Sequence, residues 1–152
     1  MCSCGRQCAL PADAHRYNAG GVSSSLAKPH ESNRAKTWAQ DKGDVLVPVL
    51  PLAALINAIP ARINITALHT DMQGFDYEAV ASVGHAIRRV PFIISEVYLG
   101  RESYSGVRND LERDWKPWAR AMGYKIETAR TAWKDSSVAW EANVKFRRDG
   151  AS

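Results

Sequence analysis

The sequence contains no apolar stretch long enough to cross a membrane. Its longest apolar run, VLVPVLPLAALINAI, holds two prolines and falls short of the roughly 20 residues that a membrane-spanning helix needs. The first residues, MCSCGRQCALPADAHRYN, also lack the apolar core of a secretory signal peptide. These absences predict a protein that works in the cytoplasm without contacting a membrane.

Cysteine is scarce, and its three copies, Cys2, Cys4 and Cys8, all lie in the first eight residues. With His15 they give the pattern C-x-C-x3-C-x6-H, whose first pair is closer than the C-x2-4-C pairs of structural zinc sites. A reduced terminal segment without metal is therefore favoured. A small metal-binding module remains the alternative.

Clustered positive charge is also lacking. The formal net charge is +4, yet the basic residues are scattered, and only Arg88 with Arg89 and Arg147 with Arg148 form pairs. Because nucleic-acid binding needs a basic face, we expect no nucleic-acid partner. An anionic small ligand or simple solubility accounts equally well for the charge.

Several catalytic signatures are missing. The sequence has no phosphate-binding P-loop, no zinc-protease helix, no G-x-S-x-G elbow and no G-x-G-x-x-G turn. With 45% apolar and 24% charged residues in 152 positions, the chain has the composition of a single globular domain. Any chemistry must therefore come from residues that the fold brings together.

The order of apolar patterns predicts an α/β fold with mostly parallel strands and a closing antiparallel β-hairpin. Residues 1–42 are read as a loop-rich segment with at most one short strand, residues 43–148 as the main domain and residues 149–152 as a tail. The predicted elements are an extended edge segment at 44–52, a helix at 52–60, a doubly buried strand at 62–71, a helix at 77–89, a strand at 92–99, a helix at 107–123 interrupted at Pro117, and a hairpin from 124 to 148.

Two carboxylates follow neighbouring strands in this scheme. Asp71 ends the strand at 62–71, and Glu96 lies late in the next strand. Since ligands of parallel sheets bind beyond the carboxyl ends of the strands, both are expected in one crevice. Asp71 is then a general base towards a hydroxyl or a ligand for a small molecule or metal. Glu96 either shares that role or fastens neighbouring loops.

The stretch LHTDMQGFD supplies the other candidates. His69 is expected on the same strand face as Asp71, as a site residue or as a packed core group. Gln73 would form a hydrogen-bonding wall of the turn that Gly74 shapes. Asp76 is expected to cap the following helix.

The segments INITALHTDMQGFDYEAVASVGHAIRRVPFIISEVY and GYKIETA to NVKFRR resemble the C-terminal half of FkbM-type methyltransferases, over about residues 17 to 148. The resemblance is carried by the set His69, Asp71, Gln73, Gly74, Asp76, Glu78, Ala79, Val80 and Glu96. It implies an S-adenosylmethionine-dependent O-methyltransferase with a Rossmann-like sheet, acting on a hydroxyl of a small metabolite. Asp71, Glu96 and His69 would be catalytic, Gln73 and Gly74 would contact the cofactor, and no metal is expected.

Two departures from the family pattern affect the prediction. His69 stands where the family usually has lysine, and the amino-terminal elements that hold most of the cofactor have no counterpart here. We therefore expect a truncated enzyme, or alternatively a non-catalytic remnant that needs a partner chain. The strand at 62–71 would then have an open edge, which favours self-association.

Overall fold

A computed structural model describes residues 10–17, 24–34, 36, 39–131 and 140–151. The main elements are, in chain order, β1 (Leu10–Tyr17), β2 (Asp41–Val49), α1 (Leu52–Ala58), β3 (Leu68–Thr70), α2 (Asp76–Ser82), β4 (Phe92–Tyr98), α3 (Lys116–Met122), β5 (Tyr124–Thr131) and β6 (Glu141–Arg148). Three other described segments are helical but not α-helical: Glu31–Asn33, Gly84–Arg89 and Leu111–Trp115.

The main sheet has the strand order β3-β4-β6-β5. β3 and β4 are parallel, whereas β6 is antiparallel to both of its neighbours. It follows that β3, β4 and β5 run in one direction and β6 runs against them. The α/β class and the antiparallel pairing of the last two strands are confirmed. Parallel pairing between neighbours is limited to β3 with β4, so the sheet is mixed.

β1 and β2 form a separate two-stranded antiparallel sheet. Its pairing runs from Leu10 opposite Val49 to Tyr17 opposite Asp41. Both strands are edges, which explains how β2 accepts Pro48 without losing an interior ladder bond. The extended segment predicted around residues 44–52 is thus a strand, and its partner lies in the loop-rich segment.

The main core lies between the helices and one face of the four-stranded sheet. Alternate residues of β4 and β6, including Ile93, Val97, Val144 and Phe146, point into it together with side chains from all three helices. Trp115 is fully buried and stacks on Phe146 with ring centroids 5.0 Å apart. The opposite face carries exposed or half-buried side chains, among them Phe92, Ile94, Asn143 and Lys145.

The strand predicted at 62–71 is much shorter in the structure, where β3 contains only Leu68–Thr70. The preceding residues are largely exposed, and Ile63 exposes 50% of its surface. β3 lies at the sheet edge and pairs with only three residues of β4, Ile93 to Ser95. A segment with so little partner surface has no reason to remain extended, so the doubly buried strand was a wrong prediction.

The helix predicted at 77–89 is divided. α2 ends at Ser82, and a 3-10 turn covers Gly84–Arg89, with Gly84 at φ +59°. The apolar stripe nevertheless survives the division, because Val80, Val83 and Ile87 are all buried in the main core. Helix α3 ends as expected at Gly123, which adopts a left-handed conformation at φ +78°.

No helix in the described part of the chain is long and apolar enough to cross a membrane. Each of the three α-helices has only seven residues.

The two core tryptophans make a matched test of the packing. The indole N–H of Trp115 donates to Asn109 Oδ1 at 2.8 Å, whereas the buried indole N–H of Trp118 has no hydrogen-bond partner among the described residues. We expect Trp115→Phe to lower the free energy of unfolding by about 1–3 kcal/mol more than Trp118→Phe, because only the first leaves a buried amide oxygen unpaired. Urea unfolding of the two variants measures the difference. Equal losses would contradict this account.

Candidate functional site

The turn between β3 and α2 is tightly packed. Gln73 and Gly74 both have positive φ angles, +51° and +103°. A Cβ atom at Gly74 would lie 2.6 Å from the phenol oxygen of Tyr98, so no larger residue fits without displacing that ring. The hydroxyl of Ser25 donates to the Gln73 carbonyl at 2.8 Å. The turn is therefore held between the loop before β2 and the end of β4.

Asp76 does not cap α2, contrary to the sequence-based expectation. The N-cap position is Phe75, and Asp76 is the first helical residue, with 0% of its surface exposed. The Met72 amide donates to both of its carboxylate oxygens at 3.2 Å, and the Ser95 hydroxyl lies 3.5 Å from Oδ1. Burial raises the pKa of Asp76. The carboxylate thus fastens the turn to the buried side of β3 and β4.

Asp71 is exposed at the mouth of the same turn. The Gln73 side-chain amide donates to Asp71 Oδ1 at 2.8 Å, and the phenol of Tyr104 donates to Gln73 Oε1 at 2.9 Å. Tyr104 exposes only 2% of its surface. Asp71 is therefore oriented, through Gln73, by a phenol that belongs to a buried cluster.

That cluster is a second, smaller core made of Tyr17, Ala27, Tyr98, Tyr104 and Val107. It brings together residues from β1, from the loop before β2, from the end of β4 and from the loop that follows. The two sheets thereby meet next to the turn that carries Asp71.

Glu96 is half-buried near the end of β4 and lies opposite Asn143 of β6. Burial, followed by the charges of Glu141, Asp71 and Asp76, raises the pKa of Glu96 to about 8. Glu141 is a diagonal neighbour of Glu96 across the β4-β6 ladder, on the same face. Its pKa is also raised by burial, although the Ser103 hydroxyl donates to its Oε1.

Asp71, Asp76, Glu96 and Glu141 therefore form an acidic cluster at the edge of the sheet where β3 and β4 end. Burial raises the pKa of Asp76, Glu96 and Glu141, so these three carboxyl groups bind protons more tightly than exposed ones do. A carboxyl group with a pKa near 8 can hold and release a proton close to neutral pH. The chemistry available here is proton transfer and the binding of hydrogen-bond donors or cations.

The structure brings two of the sequence-predicted residues, Asp71 and Glu96, to the same edge of the sheet. His69 is exposed within β3 and pairs with Ile94, two residues before Glu96, so its side chain is on the same face of the sheet as Glu96. Within the described residues, no hydrogen bond joins His69 to Asp71 or Glu96. Gly74 contributes backbone shape only, and Gln73 holds Asp71.

Sequence reasoning missed Glu141 and the tyrosines of the smaller core. Glu141 is 45 residues after Glu96 in the sequence, and only the antiparallel register of β6 places it beside Tyr98. The spacing of these residues carries no signal for that register. Tyr104 likewise comes from a loop with no periodic pattern.

Within the described residues, no group of three or more histidine, cysteine, aspartate or glutamate side chains is placed to hold a metal ion. The cysteines of the proposed metal pattern lie outside the described part of the chain. The remaining member, His15, has its Nδ1 atom 2.6 Å from Asp44 Oδ1.

Comparison with models of known families, with curated proteins and with solved structures finds no match for this chain.

The acidic cluster predicts how stability depends on pH. Glu96 binds its proton more tightly in the folded chain, where its pKa is about 8, than in the unfolded chain, where 4.5 is expected. Its stabilising contribution is complete below pH 4.5 and is lost as the pH rises towards 8. We expect the urea midpoint to fall over this interval, and to fall less in Glu96→Gln.

The matched control is Glu31→Gln, which changes an exposed carboxylate on a surface turn. In this variant the urea midpoint should change with pH as it does in the unmodified chain. If the midpoint of Glu96→Gln also changes with pH as in the unmodified chain, Glu96 titrates normally in the folded state.

Proposed function

We propose that this chain is the substrate-binding half of an S-adenosylmethionine-dependent O-methyltransferase of the FkbM type, acting in the cytoplasm on the hydroxyl of a small molecule. The observation that supports it most is the acidic cluster of Asp71, Asp76, Glu96 and Glu141 at the carboxyl edge of β3 and β4. Ligands of open α/β sheets bind at this edge.

The acidic cluster suits the proton that such a reaction releases. When a hydroxyl oxygen accepts a methyl group, its proton must pass to a nearby base. Glu96, with its pKa raised to about 8, is suited to accept that proton close to neutral pH. Asp71, held by Gln73 at 2.8 Å, is suited to orient the hydroxyl. His69 is exposed beside Ile94, on the face that carries Glu96, and the proposal gives it no role in the proton transfer.

The described residues fit only part of the cofactor. S-adenosylmethionine supplies a methyl group on a positively charged sulfonium, and a cluster of carboxylates favours that charge. Its adenosine portion calls for a glycine-rich turn between a strand and a helix and for an acidic residue after a second strand. Among the described residues, the two strands that precede β3 form their own antiparallel sheet instead. The adenosine portion is therefore assigned to elements outside the described residues.

The main sheet has free surfaces on which the elements that would bind the adenosine portion could pack. Among the described strands β3 pairs with β4 alone, and the sheet face that carries Phe92, Ile94 and Lys145 is not covered by the helices of the core. Both surfaces leave room for further strands and helices. The same surfaces favour the second candidate function, a non-catalytic remnant that binds a partner chain or a second copy through its open edge.

If the cofactor is held mainly by other elements, the purified chain should bind S-adenosylmethionine no better than weakly. We expect isothermal titration calorimetry to give a dissociation constant above the micromolar range. S-adenosylhomocysteine, which lacks the positive charge, should bind still more weakly because the acidic cluster no longer contributes. Micromolar binding of either compound to a monomer would contradict the division of the site.

Methyl transfer itself is tested by adding the chain and S-adenosylmethionine with a labelled methyl group to an extract of cells that encode it, because the extract supplies the cofactor-binding elements that the proposal assigns elsewhere. We expect labelled small-molecule ethers to increase with the unmodified chain and with Glu31→Gln. With Glu96→Gln the increase should fall by at least about 100-fold, the usual contribution of a general base. No increase with the unmodified chain, or full activity in Glu96→Gln, would contradict the proposed function.

A further inference from the structure

An apolar groove lies beside Asp71, between the end of β2, α1 and α2. It consists of two adjoining clefts with volumes of about 490 and 350 Å³, each within the range of small-molecule sites. The two clefts adjoin, because five residues line both of them. The shared residues are Leu26, Val49, Leu50, Met72 and Phe75.

The larger cleft is built almost entirely from apolar side chains. Beyond the shared wall it is lined by Leu52, Leu55 and Ala79, and only Glu78 and Ser82 interrupt its apolar character. Three large apolar side chains on its rim stay accessible: Leu50 is 48% exposed, Leu55 51% and Met72 37%. Apolar surface that is concave and exposed together in this way marks a place where an apolar group binds.

The smaller cleft has a polar end. Asp71, Ser24 and Ser25 line it together with the shared apolar wall. Ser25 is already engaged, because its hydroxyl donates to the Gln73 carbonyl and accepts from the Ala27 amide. Asp71 is exposed, and the Gln73 amide reaches its Oδ1 atom. Asp71 thus belongs both to the acidic cluster and to the end of the groove.

We propose that this groove binds the apolar body of the substrate, and that the substrate is an alcohol with an extended alkyl or alkenyl chain whose hydroxyl reaches Asp71. The proposal rests on the proposed function and narrows its substrate class. A sugar fits this surface poorly, because its many hydroxyls would be buried against Leu, Val and Phe side chains without partners. An alkyl chain loses no hydrogen bonds there and gains from each methylene that leaves water.

A small molecule suits the groove better than a protein partner. A stable protein interface covers roughly 800 Å² on each side, with its apolar centre surrounded by a polar rim. The groove instead consists of two small clefts, and the oriented carboxylate of Asp71 lines the smaller one. If a second copy of the chain occupied the groove instead, the sedimentation measurement described below would show a dimer.

The test is a titration of the chain with 1-butanol, 1-hexanol, 1-octanol and glucose, followed through the methyl NMR signals of Met72 and Leu55. We expect affinity to rise roughly fourfold with each added methylene, until the alcohol exceeds the length of the groove. Glucose should not shift these signals. In the unmodified chain 1-methoxyoctane should bind more weakly than 1-octanol, because the ether has no proton to donate to Asp71. In Asp71→Ala the two compounds should bind alike.

Two polar substitutions on the rim, Leu50→Ser and Leu55→Ser, should each weaken 1-octanol binding several-fold with little effect on the melting temperature. The matched control is Leu46→Ser, at a position of β2 that is 66% exposed and lies outside both clefts. Sedimentation of each sample reports self-association. Affinity that does not depend on chain length, tighter binding of glucose, equal loss in Leu46→Ser, or a dimer that 1-octanol does not dissociate would each overturn the assignment of the groove.

These outcomes are separable from those of the methyl-transfer assay. Alcohols that bind with the expected chain-length dependence, in a chain that supports no methyl transfer, would uphold the groove and contradict the proposed function. Labelled ethers formed only on sugars would uphold the function and overturn the groove assignment.

Discussion

The close approach of Gly74 to Tyr98 is the constraint on which the rest of the site depends. At this point the backbone of the β3-α2 turn passes so near the phenol that a Cβ atom would be 2.6 Å from its oxygen. The contact places the turn against the smaller core, and Tyr104 of that core then orients Gln73. The position of Asp71, and with it the polar end of the groove, follows from this packing rather than from the strand that precedes it.

Local chemistry allowed part of the fold to be predicted. β4 is apolar except for Ser95 and Glu96, and it was placed within one residue of its observed end. The Gly123 stop of α3 follows from the freedom of glycine at positive φ. The strand at 62–71 was overestimated because its apolar residues suggested burial on two faces. The structure gives that segment a single neighbour, and the number of neighbours is a property of the sheet that no local pattern contains.

In the candidate site, too, local sequence patterns predicted some residues, whereas others depend on how distant segments pack. Asp71 and Glu96 were chosen because one was expected to end a strand and the other to lie late in the next strand, and these two strands are parallel neighbours in the structure. Asp76 was expected to satisfy its own helix, yet its carboxylate turns back to the Met72 amide, a contact that depends on the path of the whole turn. Glu141 depends on a register set by β6 and was beyond the reach of spacing arguments.

The position of β6 has a consequence for the order in which the molecule forms. This strand is the last of the described strands, yet it lies inside the sheet, hydrogen-bonded to β4 on one side and to β5 on the other. Among the described strands β5 pairs with β6 alone, so that pairing waits for the residues from Glu141 to Arg148. During synthesis β4 and β5 therefore cannot join one sheet until residues 141–148 have left the ribosome, because contacts between distant segments form only once both are present. Until then the apolar face that β4 shares with β6 stays incomplete.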